Sequence, residues 1–448
     1  MGVSLRSHLE KLLKSGQLAR IKKRVSAEFE LGALLNKTKG TLPTFFDDVK
    51  GYQMPVVGGL CGDRDLIGGF LGADKKELIP AILAAMSNPL PARLVPAGPC
   101  QEHVITNNID LLKLLPIPKF HEKDAGHFIT GGIILVRDPV LGRYFTSIRR
   151  MQFQSGNKLS VLIESPGLLE MYYQKEKQNQ PLEFVILIGV HPVLTLTSQL
   201  NTQLYGLDKL GVAGALLGES VEMVKAKTVD LEVPAQTEIV LEGRMLPHKR
   251  MTEGPFGELA GYYGPASEQP YAEITAVTHR SNPIFQAIFP SSYEHKLPNA
   301  IMREVTLYLH VRHLVPSVKE VHVTMAGSGR FHAVISIAKR YEGEGKSAIM
   351  AALAANKDYK HVVVVNDDVD IWDPYDVEWA IATRVQADED VVIIPPARGC
   401  SLEPSNNIRG VSAKMGIDAT YPLAYADQFE RVRIPGYDAI SLEDYLEA

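Results

Sequence analysis

The sequence predicts a mixed α/β (α+β) multi-domain chain, with an N-terminal α/β segment over residues 1–115, a central β-rich domain over 116–315 and a C-terminal α/β domain over 316–448. Three observations predict it. At 448 residues the chain is too long for one hydrophobic core. From about residue 115 to 310, short apolar runs recur between Gly, Pro, Asn and Asp turns. After residue 318, strand-like and helix-like runs alternate.

The opening MGVSLRSHLEKLLKSGQL puts Leu5, Leu9, Leu12 and Leu13 on one helical face and lacks the apolar centre of a signal peptide. Arg6 stands where a Gly2 myristoylation pattern requires Ser or Thr. A strand-like run at 18–21, a helix near 26–38, the strand-like MPVVGGL at 54–60 and the helical PAILAAM at 80–86 follow, until NPLPARLVPAGP closes the region. In the middle, HFITGGIILVRD, YFTSIRRMQF, KLSVLIE, EFVILIGV, TEIVLEGRML, YAEITAVTHR and PIFQAIF read as strands of a barrel or closely related sheet, and LLEMYYQKEKQ as a helix between them. Beyond residue 318, VKEVHVTM, AVISIA, HVVVVND and VVIIP read as buried strands with parallel pairing, and IMAALAAN and DVEWAIATRV as the intervening helices.

Composition narrows the function classes. Net charge is −5, so no general attraction to nucleic acid or to an anionic membrane is expected, and an anionic substrate needs locally clustered cations. No uncharged apolar run reaches bilayer length. Cys61, Cys100 and Cys400 are widely spaced, with no ligand pattern for zinc and none for a thiol nucleophile, which fits a reducing cytoplasm.

Several motif lookalikes fall away. GEGKS at 343–347 has Arg340 where a phosphate-binding loop needs its first glycine. NDDVDIWD at 366–373 lacks the glycine and closing Glu of a calcium loop, and reads as a connection that puts Asp373 or Asp376 near a helix start. GGFLG at 68–72 is too short for a dinucleotide fingerprint and reads as a turn with a helix entry.

EGPFGELAGYY at 253–263 is more informative. Pro255 fixes its own φ and restricts Gly254, while Gly257 permits backbone angles other residues avoid, so Glu253 and Glu258 stand five apart on a shaped loop. In SIRRM, Arg149 and Arg150 are adjacent on an expected strand and would face opposite sides. A buried arginine needs a carboxylate, and Glu253 and Glu258 are the candidates; a guanidinium held between them would keep one acid ionised and leave the other able to exchange a proton. A second cluster, His295, Lys296 and Arg303 in SSYEHKLPNAIMRE with Arg330 in GSGRFH, suits a carboxylate or other anion if it converges on one pocket.

EIVLEG at 238–243, EGPFGELAGYY, AEITAVTHRSNPIF, NDDVDIWDPYDVEWAIATR and KMGIDAT at 414–420 together resemble the UbiD decarboxylases, in order and over nearly the whole chain. The resemblance implies a split β-barrel flavin domain at 116–315, a C-terminal oligomerisation domain at 316–448 and at least a homodimer. It also implies prenylated FMN, delivered by a separate flavin prenyltransferase, and reversible decarboxylation of aromatic or α,β-unsaturated acids. The family's acid–arginine–acid triad falls on Arg150, Glu253 and Glu258, with Glu258 as the proton donor after carbon dioxide leaves and the other two orienting substrate. Ser147, Ile148, Arg149, Thr197, Ser198, Gln199, Lys209 and Lys414 fall where the family contacts the cofactor.

One departure concerns metal. The family's Asn, His and Glu ligands fall on Phe145, on Pro166 or Gly167, and on Lys209 or, one residue shifted, Asp208. Either the Lys209 ammonium replaces the divalent ion, or a realigned site uses Asp208 with Mn2+ and K+. His295, Arg303 and Arg330 resemble the branch that acts on heteroaromatic acids, in particular furan-2,5-dicarboxylate; pyrrole-2-carboxylate is the close competitor. A flavin-binding subunit without turnover and a plain FMN oxidoreductase are the readings from other classes.

Overall fold

The structure, a computed structural model, describes residues 3–164, 166–201 and 206–446, so Gly2 of the opening pattern lies outside it. The first helix, Leu5–Lys14, begins at a capping box in which Ser4 and Ser7 satisfy each other's backbone N–H groups. Leu5, Leu9 and Leu12 are buried, but Leu13 is 51% exposed, because one further 100° step turns it out of the apolar stripe. The strands Ala19–Ile21, Thr44–Phe46 and Val56–Gly58 form a small sheet completed by Phe285–Gln286. PIFQAIF therefore closes the N-terminal sheet instead of joining the central one. GGFLG is the end of the helix Arg64–Leu71, with Gly72 in the left-handed region as its stop, and is not a helix entry.

The central sheet is antiparallel and curls into a half-barrel. Its strand order is Phe128–Ile129, Met151–Ser155, Lys158–Val161, Ser267–His279, Ile239–Glu253, Leu182–Ile188, Ile133–Arg137 and Tyr144–Ile148, with His103–Ile105 also pairing to Ser267–His279. The helix Pro166–Lys177 interrupts it, where LLEMYYQKEKQ was expected. YFTSIRRMQF is two strands. Tyr144–Ile148 pairs with Ile133–Arg137, whereas Met151–Ser155 pairs with Phe128–Ile129 and Lys158–Val161. The chain changes neighbours at Arg149 and Arg150, which lie in neither strand. The strict alternation of a continuous strand does not apply there.

The helix Tyr293–Leu314 was not legible in the sequence, where Pro298 and a mixed polar pattern hide it. Leu297, Ile301, Met302 and Val305 pack with the N-terminal helices, and Ala300, Leu307 and Val311 pack with the C-terminal sheet. That sheet runs Val318–Val323, His332–Ile337, His361–Asn366, Val411–Ala419, Val391–Arg398. Its inner pairs are parallel and both outer pairs antiparallel. VVIIP is thus a half-exposed edge strand and not a buried one; Ile393 is 69% exposed. Asp373 caps the helix Pro374–Arg384 by accepting from Tyr375 N. Among the described residues no helix is long and apolar enough to cross a membrane.

Candidate active site

The long strand Ile239–Glu253 delivers Glu253 at its last position. Gly254 follows at φ 84, a conformation that favours glycine, and its N–H donates to Gln152 Oε1 at 2.9 Å. Phe256–Gly257 then pairs with Tyr263–Gly264, and Glu258 N donates to Tyr262 O at 2.8 Å. Gly257 is needed for a different reason from the one its sequence suggests. Its φ is not positive; a Cβ there would run into the His121 ring. Gly257 N donates to Asp124 Oδ1 and His121 N to Asp124 Oδ2, both at 2.9 Å. Asp124 and Gln152 therefore pin the loop. The sequence reading missed both, since their only signal is a buried polar side chain aimed at backbone N–H groups.

Arg150 lies between the two acids. Its Nε and Nη2 donate to the two oxygens of Glu253 at 2.7 Å each, a fork-on-fork pair, and its Nη1 donates to Glu258 Oε1. The Phe256 ring lies 4.8 Å from the guanidinium carbon. Glu253 is fully buried, and Glu258 is 6% exposed at the edge of a cavity of about 480 Å³. One positive charge faces two carboxyl groups, so a proton shared with Glu258 neutralises the set.

Ser147, Ile148, Arg149, Arg150, Ser198, Gln199, Lys209, Glu258, His295, Arg303 and Arg330 all border this cavity. Arg149 and Arg150 both reach it, contrary to the opposite-face expectation, because the strand breaks between their neighbours. Glu253 stands behind Arg150. Two cofactor candidates, Thr197 and Lys414, and the metal candidate Asp208 do not border the cavity. Thr197 is buried and donates to its own helix at Leu194 O. Lys414 donates to Lys357 O at 2.8 Å and Tyr359 O at 2.5 Å, gripping the backbone on either side of Asp358. Asp208 accepts from Leu210 N through Oδ1 as the cap of the helix Lys209–Leu217, away from the cavity wall. Among the described residues no group of three His, Cys, Asp or Glu side chains could hold a metal ion.

Lys209 is 6% exposed and donates to Thr146 O at 2.6 Å and Ser198 O at 2.7 Å, with its Nζ 5.2 Å from the Phe145 ring centre. Burial, and then the Arg149 charge, pulls its pKa from 10.5 down to about 7. No carboxylate pairs with it among the described residues. Burial lowers Arg149 to about 10, and its Nε has no hydrogen-bond partner. The Glu164 charge acts on Arg149 from across the cavity lining, but neither cation is ion-paired among the described residues.

The second cluster also converges. His295 accepts from Ser291 N at 3.1 Å through Nδ1; burial and then the nearby Arg330 hold it near 3, so the ring is neutral. Arg303 donates through Nε to Asn299 Oδ1 at 2.6 Å and through Nη2 to Asp358 Oδ2 at 2.7 Å. Arg330 Nη1 lies 3.7 Å from the same oxygen and 3.7 Å from Cys400 Sγ. Arg303 Nη1 and Arg330 Nε are buried without partners. Arg149, Arg303 and Arg330 together line the cavity with cations, which suits anionic groups. Asp358 was the other residue missed; nothing in NKDYK marks it.

The comparisons with known proteins agree with this layout. Profiles described as the 3-octaprenyl-4-hydroxybenzoate carboxy-lyase N-terminal, Rift-related and C-terminal domains match residues 9–86, 93–293 and 297–419. The solved UbiD-class enzyme HmfF from Pelotomaculum thermopropionicum, in complex with FMN, is 48% identical at a TM-score of 0.95, over 99% of this chain and 100% of that one. An evolved dimeric form of that enzyme, in complex with prFMN, is 46% identical at a TM-score of 0.91, over the same shares. Anhydromevalonate phosphate decarboxylase of Methanothermobacter thermautotrophicus is 37% identical over 429 residues, 96% of this chain and 99% of the relative. Gallate decarboxylase of Lactiplantibacillus plantarum is 31% identical over 433 residues, 90% of this chain and 88% of the relative. Profiles that tile the chain in order, and relatives that overlap it almost end to end, lead to one assignment: the protein belongs to the UbiD family and is a carboxy-lyase of the decarboxylase type.

Proposed function

We propose that the protein catalyses the reversible, non-oxidative decarboxylation of a heteroaromatic carboxylic acid with prenylated FMN in the cavity, converting furan-2,5-dicarboxylate to 2-furoate and carbon dioxide. The observation that carries the reading is the buried Arg150 held by Glu253 and Glu258 on the wall of a cavity that Arg149, Arg303 and Arg330 also line. When bound, the prenylated flavin supplies an electron sink for the carbon that loses carbon dioxide. Ser147, Ile148, Arg149, Ser198, Gln199 and Lys209 would hold it.

The chain's own residues handle charge and proton. Arg150 fixes Glu258 by its Nη1 hydrogen bond, and Glu253 fixes Arg150 through two more. Protonated Glu258 delivers its Oε proton to the ring carbon from which carbon dioxide has left, and takes it back in the carboxylation direction. Arg303 and Arg330 hold the carboxylate that stays on the ring, so a diacid uses both clusters. Pyrrole-2-carboxylate has no second carboxylate and would leave these arginines unused.

In this reading Lys209 stands in place of the divalent ion at the flavin phosphate, without Mn2+ or K+. Its buried ammonium has carbonyl partners and no anionic one. Stoichiometric manganese in the loaded protein would overturn that part. We place the enzyme in the cytoplasm as a homo-oligomer, supplied by a flavin prenyltransferase. The test is co-expression with such a prenyltransferase and carbon dioxide release from a panel of furan, pyrrole and benzoic acids. Furan-2,5-dicarboxylate should turn over fastest; no release from any acid points to a flavin-binding subunit, and oxidation of NAD(P)H to a plain FMN oxidoreductase.

A further inference from the structure

The helix Tyr293–Leu314 places His295, Asn299 and Arg303 on one face, four residues apart, and all three border the cavity. Asn299 lies between groups that the proposed function assigns to different ligands. On one side, Arg303 Nε donates to Asn299 Oδ1 at 2.6 Å. A guanidinium has no acceptor, so the amide oxygen must face it and the amide donors must face away. There Nδ2 donates to Gln199 Oε1 at 3.5 Å. That turns Gln199 Nε2 toward Ser198 Oγ at 2.8 Å, and Ser198 Oγ donates to Thr195 O at 2.7 Å. Every donor in the chain points the same way, from the Arg303 guanidinium to a backbone carbonyl. Ser198 O also accepts from Lys209 Nζ at 2.7 Å. One continuous row of hydrogen bonds therefore joins the substrate side of the cavity to the flavin side.

We propose that Asn299 is a positioning residue that couples these two sides, so that flavin and a ring diacid bind with positive cooperativity through the Asn299–Gln199 hydrogen bond. At 3.5 Å it is the longest link in the row, against about 2.9–3.0 Å for an ordinary N–H···O bond, and the links on either side of it are already short. It is the one that can tighten. Besides Asn299, the hydrogen bond that fixes the Arg303 side chain is the one from Nη2 to Asp358 Oδ2 at 2.7 Å, so the Asn299 amide helps set the tilt of the guanidinium. A flavin against Ser198 and Gln199 orders the Gln199 amide, and a carboxylate at Arg303 orders the guanidinium and, through Nε, the Asn299 amide. Each ligand supplies part of the ordering that the other needs. This coupling rests on the reading that flavin lies along Ser198 and Gln199 and that Arg303 meets the second carboxylate. An acid with one carboxylate leaves Arg303 alone and gains none of it.

The test measures FMN binding to the flavin-free protein by fluorescence, without acid, with saturating furan-2,5-dicarboxylate and with saturating 2-furoate. In the wild type the diacid should tighten FMN at least about fivefold more than 2-furoate does, and FMN should tighten the diacid by the same factor. Asn299→Leu and Gln199→Leu should each abolish that extra factor, and the double variant should lose no more than either alone. Asn299→Asp still accepts from Arg303 but has no donor for Gln199, so it should also lose the factor, which a merely structural amide would not require. A wild type in which diacid and 2-furoate act alike on FMN overturns the coupling without any variant, as does a factor that survives in Asn299→Leu or Asn299→Asp. The parent reading fails separately. If Arg303→Ala leaves the preference for furan-2,5-dicarboxylate over 2-furoate unchanged, no second carboxylate is bound there; if FMN does not bind under any of these conditions, the flavin assignment falls.

Discussion

Two arginine–carboxylate clusters border the same cavity, and their stoichiometries are opposite. In one, a single guanidinium is shared by Glu253 and Glu258, which leaves an excess of acid at the wall. In the other, a single carboxylate, Asp358, is shared by Arg303, Arg330 and Lys357, which leaves an excess of cation and two guanidinium nitrogens without partners. In the proposed function, the same residue types give a proton-exchanging group in the first case and an anion-binding group in the second. What decides is which partner runs out first. An ion pair in a cavity wall therefore says little by itself; its residual charge and unfilled hydrogen-bonding capacity say what it can do.

The comparison breaks most severely at the acid-rich cluster. Glu258→Gln keeps the shape but removes the exchangeable proton, and should lower carbon dioxide release roughly 10²–10⁴-fold while flavin absorbance of the purified protein is retained. Unimpaired turnover would remove Glu258 from the chemistry. Arg150→Met leaves Glu253 fully buried without its counter-ion, and should cost about 3–5 kcal/mol of stability, read by denaturant unfolding. Removing a cation from the arginine-rich cluster should be milder and substrate-selective. Arg330→Ala should raise KM for furan-2,5-dicarboxylate by about 1.5–3 kcal/mol of binding, roughly ten- to a hundredfold, with 2-furoate exchange little affected.

A pH-dependent effect concerns Lys209, a cation with no ion-paired acid among the described residues. With its pKa near 7 in the folded chain against 10.5 ordinarily, the unfolded chain binds the extra proton between those values. Stability of the flavin-free protein should therefore rise with pH from about 7 to 10.5, and the Lys209→Met variant should lack that rise in thermal unfolding. A flavin phosphate bound beside Nζ, as proposed, would favour the charged form, so FMN binding above pH 7 should take up a proton in the wild type only. Calorimetry in two buffers of different ionisation enthalpy reads this uptake.

By itself the sequence determined the class of fold and the spacing of Glu253 and Glu258, while Arg150 as their partner and the roles of the second cluster came from the family resemblance. The first two are local in origin: the apolar periods of strands and helices, and the EGPFGELAGYY loop with its fixed spacing of two acids, all lie within a few residues. Four matters were left to the tertiary structure. The strand break that lets Arg149 and Arg150 both reach the cavity depends on which strands become their neighbours. The helix Tyr293–Leu314 gains its stability by packing two faces against separate cores, which no single apolar stripe announces. Lys414, Thr197 and Asp208 stand at plausible sequence positions, yet their polar groups are engaged by backbone partners. Asp124, Gln152 and Asp358 act through contacts across 133, 102 and 55 residues of chain, respectively. Spacing along the chain carries no trace of a contact that only folding makes, which is why the two acids of the loop were legible and the residues that hold the site were not.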